Sequence, residues 1–285
     1  MKFIDPHIHM ISRTSDDYMA LALSGIHIVA EPSFWPGYNR ENPAAFHGSF
    51  HQLTVSEPAR AARFGIHHYC WIGLNAKEAE NTVLGEEVLS IIPEYLTGPT
   101  VLGIGEIGLN KNSRNELLML EKQVELAMDL DQLLLIHTPH LEDKLKGTRL
   151  IIDMLKSESR LDPSRVLIDH AEEHTISGIL DNGFWAGLTL YPDSKGSPQR
   201  AVDAVEIHGS ERICINSSAD WSVSDPLATV KTANEMRRRG HPENLINRIF
   251  YENPRDFMGQ SPNFNLPETP AQGGAPGLSR RKFPV

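Results

Sequence analysis

Short apolar runs recur along the chain at residues 3–9, 26–31, 66–74, 101–107, 133–137, 166–170, 184–190 and 212–216, and each reads as a strand. Between them the apolar positions fall near the helical period, as in Leu117, Leu118, Leu120, Val124, Leu126 and Ala127, and again in Leu150, Ile151, Met154 and Leu155. Parallel strands must be joined by crossovers, so eight strand and helix pairs over roughly 250 residues predict an α/β fold, a single (β/α)8 TIM barrel. The rival doubly wound open sheet carries a Gly-rich phosphate turn after its first strand. Here that turn reads Pro6-His7-Ile8-His9-Met10, without glycine.

Two segments break the rhythm. Residues 32–53, with Phe34, Trp35, Tyr38, Phe46, His47, Phe50 and His51, exceed most strand-to-helix connections and are expected to form a substrate lid on the catalytic face. Residues 260–285 are rich in proline and glycine, end Arg280-Arg281-Lys282 and lack an apolar pattern. They are expected as a flexible C-terminal tail, leaving 1–259 as the domain.

Composition narrows the function. A chain of 285 residues suits one large domain, and a formal net charge of −10 disfavours non-specific attraction to nucleic-acid phosphates or anionic membranes. Cys70 and Cys214 are far apart with no C-x-x-C spacing, so neither a disulfide framework nor a thiolate zinc knuckle is expected. The opening residues enter a strand-like run at once, which argues against a cleaved signal peptide, and no apolar run approaches membrane-spanning length. The expectation is a soluble, cytoplasmic protein.

The chemistry lies where the strands end. His7 and His9 close the first, Glu106 sits among glycines at the end of the fourth, His137 and His170 end the fifth and sixth, and Asp220 follows the eighth. Residues two apart on a strand share a face, so His7 and His9 can converge on one cation. A carboxylate such as Glu106 can bridge two cations about 3.5–4 Å apart. Each residue alone has an ordinary reading: a turn acid, a rim histidine bonded to a carbonyl, a helix cap. All six, however, fall on the barrel face that carries active sites. Two divalent cations are therefore expected, zinc by the imidazole-rich donors, with manganese, magnesium or iron compatible with the carboxylates. A water between them would be the nucleophile, Asp220 its general base and Glu106 the bridging acid.

The order and spacing of these residues resemble the TatD-like branch of the amidohydrolase superfamily over roughly residues 1–258. The opening Asp5-Pro6-His7-Ile8-His9, the run Gly105-Glu106-Ile107-Gly108-Leu109 and the closing Asn253-Pro254-Arg255-Asp256-Phe257 carry the likeness. That resemblance implies that His7, His9, Glu106 and Asp220 hold one cation and that Glu106, His137 and His170 hold the other. The opening through Thr14 and the segment Ile136-His137-Thr138-Pro139-His140 are similar to a finer EboB-like subgroup, found in operons linked to secondary metabolites. Nuclease members carry His-Cys-Phe-Ser-Gly and Glu-Thr-Asp-x-Pro at places where this chain reads Asp169-His170-Ala171-Glu172-Glu173 and Ser217-Ser218-Ala219-Asp220-Trp221.

Around these ligands, Glu31, Trp35, His140, Tyr191 and Trp221 are expected to line a substrate pocket. Asp5 is expected to accept a hydrogen bond from the outer nitrogen of a ligating imidazole. His67 and His68 are expected to be structural. The favoured substrate is a small-molecule ester, amide, lactone or phosphoester, because Arg13, Arg40, Lys144 and Lys146 are few cations for a nucleic-acid groove. A deoxyribonuclease or phosphodiesterase, and a metal-binding partner without turnover, are the alternatives.

Overall fold

The computed structural model describes residues 1–139, 142–192 and 194–266. Eight strands pair in parallel and in chain order: β1 (Phe3–Asp5), β2 (Ile26–Pro32), β3 (His67–Ile72), β4 (Val101–Gly108), β5 (Leu133–His137), β6 (Val166–Asp169), β7 (Trp185–Thr189) and β8 (Ile213–Asn216). Helices alternate with them, giving the expected (β/α)8 barrel. The seam between β8 and β1 is drawn together just beyond the strands, where Ser218 N donates to His7 O (2.8 Å) and His9 N to Ala219 O (3.0 Å). Among the described residues no helix is long and apolar enough to cross a membrane, and Cys70 and Cys214 are buried free thiols.

Strand alternation divides the core in two. One set of positions, including Val29, Ile72, Ile104, Leu134, Ile136, Ile168 and Ile215, packs outward against helix residues such as Leu84, Met119, Val124 and Ile151. The alternate set, Ile4, Ile28, Tyr69, Trp71, Leu102, Leu133, Leu135, Leu167, Trp185 and Cys214, fills the barrel. Two residues further along four strands, this inward face changes from apolar to polar. Leu135 is followed by His137, Leu167 by Asp169, Gly187 by Thr189 and Cys214 by Asn216. His137 pairs in register with Asp169, and Thr189 with Asn216, so these side chains form one polar layer at the C-terminal mouth.

The C-terminal segment closes the opposite end. Phe257 stacks on Trp71 (6.0 Å), and Phe264 lies 4.9 Å from Tyr69. The Asn263 amide donates to Val101 O (2.9 Å), Gln260 to Ser164 O (2.9 Å), and the Tyr69 hydroxyl to Asn265 O (2.6 Å). Docked residues therefore run past the expected boundary at 259 to Asn265. Side-chain amides and one aromatic anchor dock them, features that a periodicity search does not register. Residues 267–285 of the expected tail lie outside the described residues.

The 32–53 segment also differs from the expectation of a lid. Pro43–His51 is a helix capped by the Asn42 side chain, and its Phe46 and Phe50 are wholly buried in the outer core. Only its first residues, Phe34 and Trp35, reach the barrel mouth.

Candidate metal centre

β1 ends at Asp5, so His7 and His9 sit on the coil beyond it and not on the strand face that their spacing suggested. They converge nonetheless. Their Nε2 atoms lie 3.1 Å apart with the rings edge to face, and both are buried. Phe34 stacks on the His9 ring at 3.9 Å and fixes its plane.

Glu106 receives the other two histidines. Its Oε1 lies 2.6 Å from His137 Nδ1 and 2.9 Å from His170 Nε2, and Asn75 Nδ2 approaches Oε2 at 3.4 Å. The glycines around Glu106 serve the neighbouring strand: a Cβ on Gly108, at φ +140°, would collide with the His137 carbonyl. Alternation turns Asp169 inward and would turn His170 outward. His170 instead adopts φ +59°, and this left-handed residue brings both side chains to one site, the kind of strain that clusters at functional positions.

Donor atoms within 4.8 Å of one another form three groups: His7, His9 and Glu106; His7, Asp169 and His170; and Glu106, His137 and His170. Asp169, which sequence reasoning passed over, holds the set in place. Its Oδ2 lies 2.5 Å from His7 Nδ1, and its Oδ1 accepts from His170 N (2.8 Å) and Asn216 Nδ2 (2.8 Å). Gly187 leaves the room for that carboxylate, since a Cβ there would overlap Asp169 Oδ1. The Thr189 hydroxyl lies 2.6 Å from His170 Nδ1. Asp5, expected to serve a ring nitrogen, instead accepts from the backbone N–H of His7 (3.2 Å) and Ser217 (3.3 Å). It pins the β1–β8 seam, and burial pushes its pKa up to about 7.

These contacts fit a cation. With Nδ1 of His7 given to Asp169 and Nδ1 of His170 to Thr189, each Nε2 presents a lone pair, one toward the ring nitrogen of His9 and the other toward the Glu106 carboxylate. Lone pairs facing one another in a buried site are costly unless a positive charge lies between them. Protonation states agree for three of the four imidazoles. Burial holds His9, His137 and His170 below the ordinary imidazole value, the last and first strongly. Burial would also lower His7, but the charges of Glu106 and Asp169 lift it. For Glu106, burial works to raise the pKa, and the surrounding imidazoles, His137 first, outweigh it and hold it well below the carboxylate range.

Asp220 stands apart from the three groups. It lines the same cavity, but its Oδ1 accepts from the Tyr191 hydroxyl (2.8 Å) and from Ser222 N (2.8 Å). At the end of β8, Ser218 at φ +43° brings its Oγ to 3.5 Å from His7 Nε2. Trp35, Tyr191 and Trp221 line the cavity. Glu31 does not. It is fully buried, paired with His68 Nε2 (2.7 Å) and accepting from Ile11 N (2.7 Å), so it braces the turn after β1, and His68 is structural as expected. His140 lies outside the described residues.

The basic residues expected at the rim are mostly engaged elsewhere. Arg40 is buried against Glu78, Arg13 donates to the Asp220 carbonyl, and Lys144 donates to His170 O (2.8 Å). Lys77 and Lys195, which the sequence did not single out, enter the cavity instead.

Comparison with known proteins agrees with this geometry. A family model described as TatD related DNase matches residues 4–258. A relative described as an uncharacterized metal-dependent hydrolase from Methanocaldococcus jannaschii is 27% identical over 256 residues, 89% of this chain and 98% of the relative. The crystal structure of a TatD-like protein from Archaeoglobus fulgidus superposes with a TM-score of 0.74 at 28% identity, covering 90% of this chain and 100% of that one. A phosphotriesterase homology protein from Escherichia coli shares the fold at TM-score 0.66 and 14% identity, covering 90% of this chain and 98% of that one.

Proposed function

The chain belongs to the TatD related DNase family and is a metal-dependent hydrolase, and from that premise we propose that it is a binuclear enzyme acting on a small-molecule ester, amide, lactone or phosphoester. The observation that carries this reading is Glu106: one carboxylate reached by His137 and His170 and grouped with His7 and His9.

In this proposal His7, His9 and Glu106 hold one divalent cation, and Glu106, His137 and His170 hold the second. Zinc suits the four imidazoles, and manganese, magnesium and iron suit the carboxylate. Such a pair, when bound, brings the pKa of water toward neutrality and polarises a carbonyl or phosphoryl oxygen. The protein supplies the rest. Asp169 keeps the His7 proton on Nδ1 and its lone pair on Nε2, and Thr189 does the same for His170. Asp220 orients the attacking water and takes its proton on a carboxylate oxygen, while the Tyr191 hydroxyl holds that carboxylate in the cavity. Phe34, Trp35 and Trp221 cover the mouth with rings on which an organic substrate can rest. The EboB-like resemblance and the engagement of the rim arginines favour a metabolite over a polynucleotide.

The test is to quantify bound metals and screen phosphoester, amide, lactone and single-stranded DNA substrates with the wild type, His137→Ala and Asp220→Asn. Small-molecule hydrolysis lost on chelation and in both variants supports the proposal. Turnover indifferent to chelator and variants, or confined to DNA, overturns it.

A further inference from the structure

Two lysines share the cavity with the donor cluster. Lys195 follows β7 and is half-buried; Lys77 lies just beyond β3 and is also half-buried. Among the described residues neither ammonium forms an ion pair or a side-chain hydrogen bond. Lys77 rests over the Trp35 ring (4.5 Å) and Lys195 near the Tyr191 ring (5.1 Å), contacts that orient a cation without neutralising it. Most other half-buried or buried cations have a carboxylate partner, as Arg40 has Glu78, Arg60 has Glu57 and Lys144 has Glu172, while Arg212 reaches a backbone carbonyl. The two ammonium groups also repel each other. Burial and the Lys77 charge press the Lys195 pKa down, against the pull of Glu106, Asp169 and Asp220.

Like charges held in one cleft without a carboxylate partner among the described residues are a preformed site for an anion, because a ligand of opposite charge removes the repulsion and supplies hydrogen-bond acceptors. Ionised carboxylates nearby do not fill the role. Glu106 is committed to His137 and His170, and Asp220 to Tyr191 and Ser222. The aromatic rings beneath each ammonium fix its direction, so that the oxyanion would be held beside the donor cluster and not diffusely at the rim. The net charge of −10 disfavours a long polyanion, while the two lysines admit one compact anionic group.

We propose that Lys195 and Lys77 form a clamp for an oxyanion, carboxylate or phosphate, carried by the substrate apart from its scissile bond, so that the enzyme selects small anionic substrates. This deepens the hydrolase reading and rests on it.

The experiment pairs neutral and anionic versions of one leaving group, p-nitrophenyl acetate and mono-p-nitrophenyl succinate, with Lys195→Met, Lys77→Met and Lys195→Arg in the metal-loaded full chain. In parallel, calorimetry measures the binding of succinate and of inorganic phosphate, which distinguishes the two oxyanions. The expected result is that the preference in kcat/KM for the anionic over the neutral ester falls tenfold or more in each methionine variant, through KM. The arginine variant should recover most of it, and anion binding should weaken by a similar factor. A merely structural lysine would lower both esters alike, and that result overturns the clamp. Anion binding equal in wild type and variants also overturns it, even where metal-dependent hydrolysis persists. Anion binding that depends on the lysines in a protein that hydrolyses nothing would sustain the clamp and remove the hydrolase reading alone.

Discussion

Asp169→Asn separates the orientation of a ligand from the ligand itself. The Asp169 carboxylate faces donors on both sides: His7 Nδ1 on Oδ2, and His170 N with Asn216 Nδ2 on Oδ1. An amide has only one oxygen, and the donors on the Oδ1 side, which include the Thr189 hydroxyl (3.2 Å), will keep it there. The new NH2 then points at His7 Nδ1, which must accept, and the ring proton moves to Nε2, the atom that faces His9 at 3.1 Å. A protonated Nε2 cannot bind a cation. Replacing an outer partner of a metal-ligating histidine typically costs about 10–100-fold in metal affinity, and here one whole ligand is disabled. A loss near 100-fold is therefore expected, about 2.8 kcal/mol at the usual 1.4 kcal/mol per tenfold. Competition against a chromophoric chelator at pH 7.5 measures it, with circular dichroism of the metal-free protein confirming the fold. His7→Ala should lose a similar amount, and the double variant little more than either, since both remove the same ligand. Wild-type affinity in Asp169→Asn, or losses that add in the double variant, would refute the reasoning.

Other expectations follow from the same contacts. His9, His137 and His170 are held below the ordinary 6.5 by burial, so as pH falls through 6.5 the unfolded chain takes up protons that the native site refuses. His7, Asp5 and Glu31, whose values are raised, oppose them over the same range. As pH falls from 8 to 5 the metal-free wild type should therefore lose more thermal stability than a His9→Gln, His170→Gln double variant, and equal losses in the two would contradict the burial of neutral imidazoles. Asp220→Asn should lower kcat by about 100-fold or more, the usual range for a lost general base. Loss of an ion in that variant would make Asp220 a ligand as well, whereas unchanged turnover would exclude either role. Phe264→Ala should cost about 3 kcal/mol in urea unfolding, the lower end for a buried phenylalanine. A change under about 1 kcal/mol would mean that residues 260–266 do not help to close the barrel.

The strands were legible because a barrel strand is buried on both faces and reads as an unbroken apolar run, and 133–137 and 166–169 needed no other cue. The histidines ending those runs stood out because a polar ring closing an apolar strand is conspicuous. Asp169 did not, although it lies on the same inward face as Leu167, because no sequence rule told which face of β6 looked inward. The Glu31–His68 pair was hidden for a related reason: the partners are 37 residues apart and meet only through the pairing of β2 with β3. Phe46 and Phe50 read as part of a lid in sequence because aromatic content does not distinguish a covering loop from a helix that packs into the core. Lys195 carried no pattern at all. Its meaning comes from the lack of an ion-pair partner among the described residues, which only the assembled cavity reveals.

The central claim, that side chains from four distant strand ends hold two cations around Glu106, is tested most directly by anomalous X-ray scattering from crystals of the metal-loaded protein. Two peaks are predicted, one among His7, His9 and Glu106 and the other among Glu106, His137 and His170. A protein that binds its metals elsewhere, or shows no peak at these residues, would contradict the account.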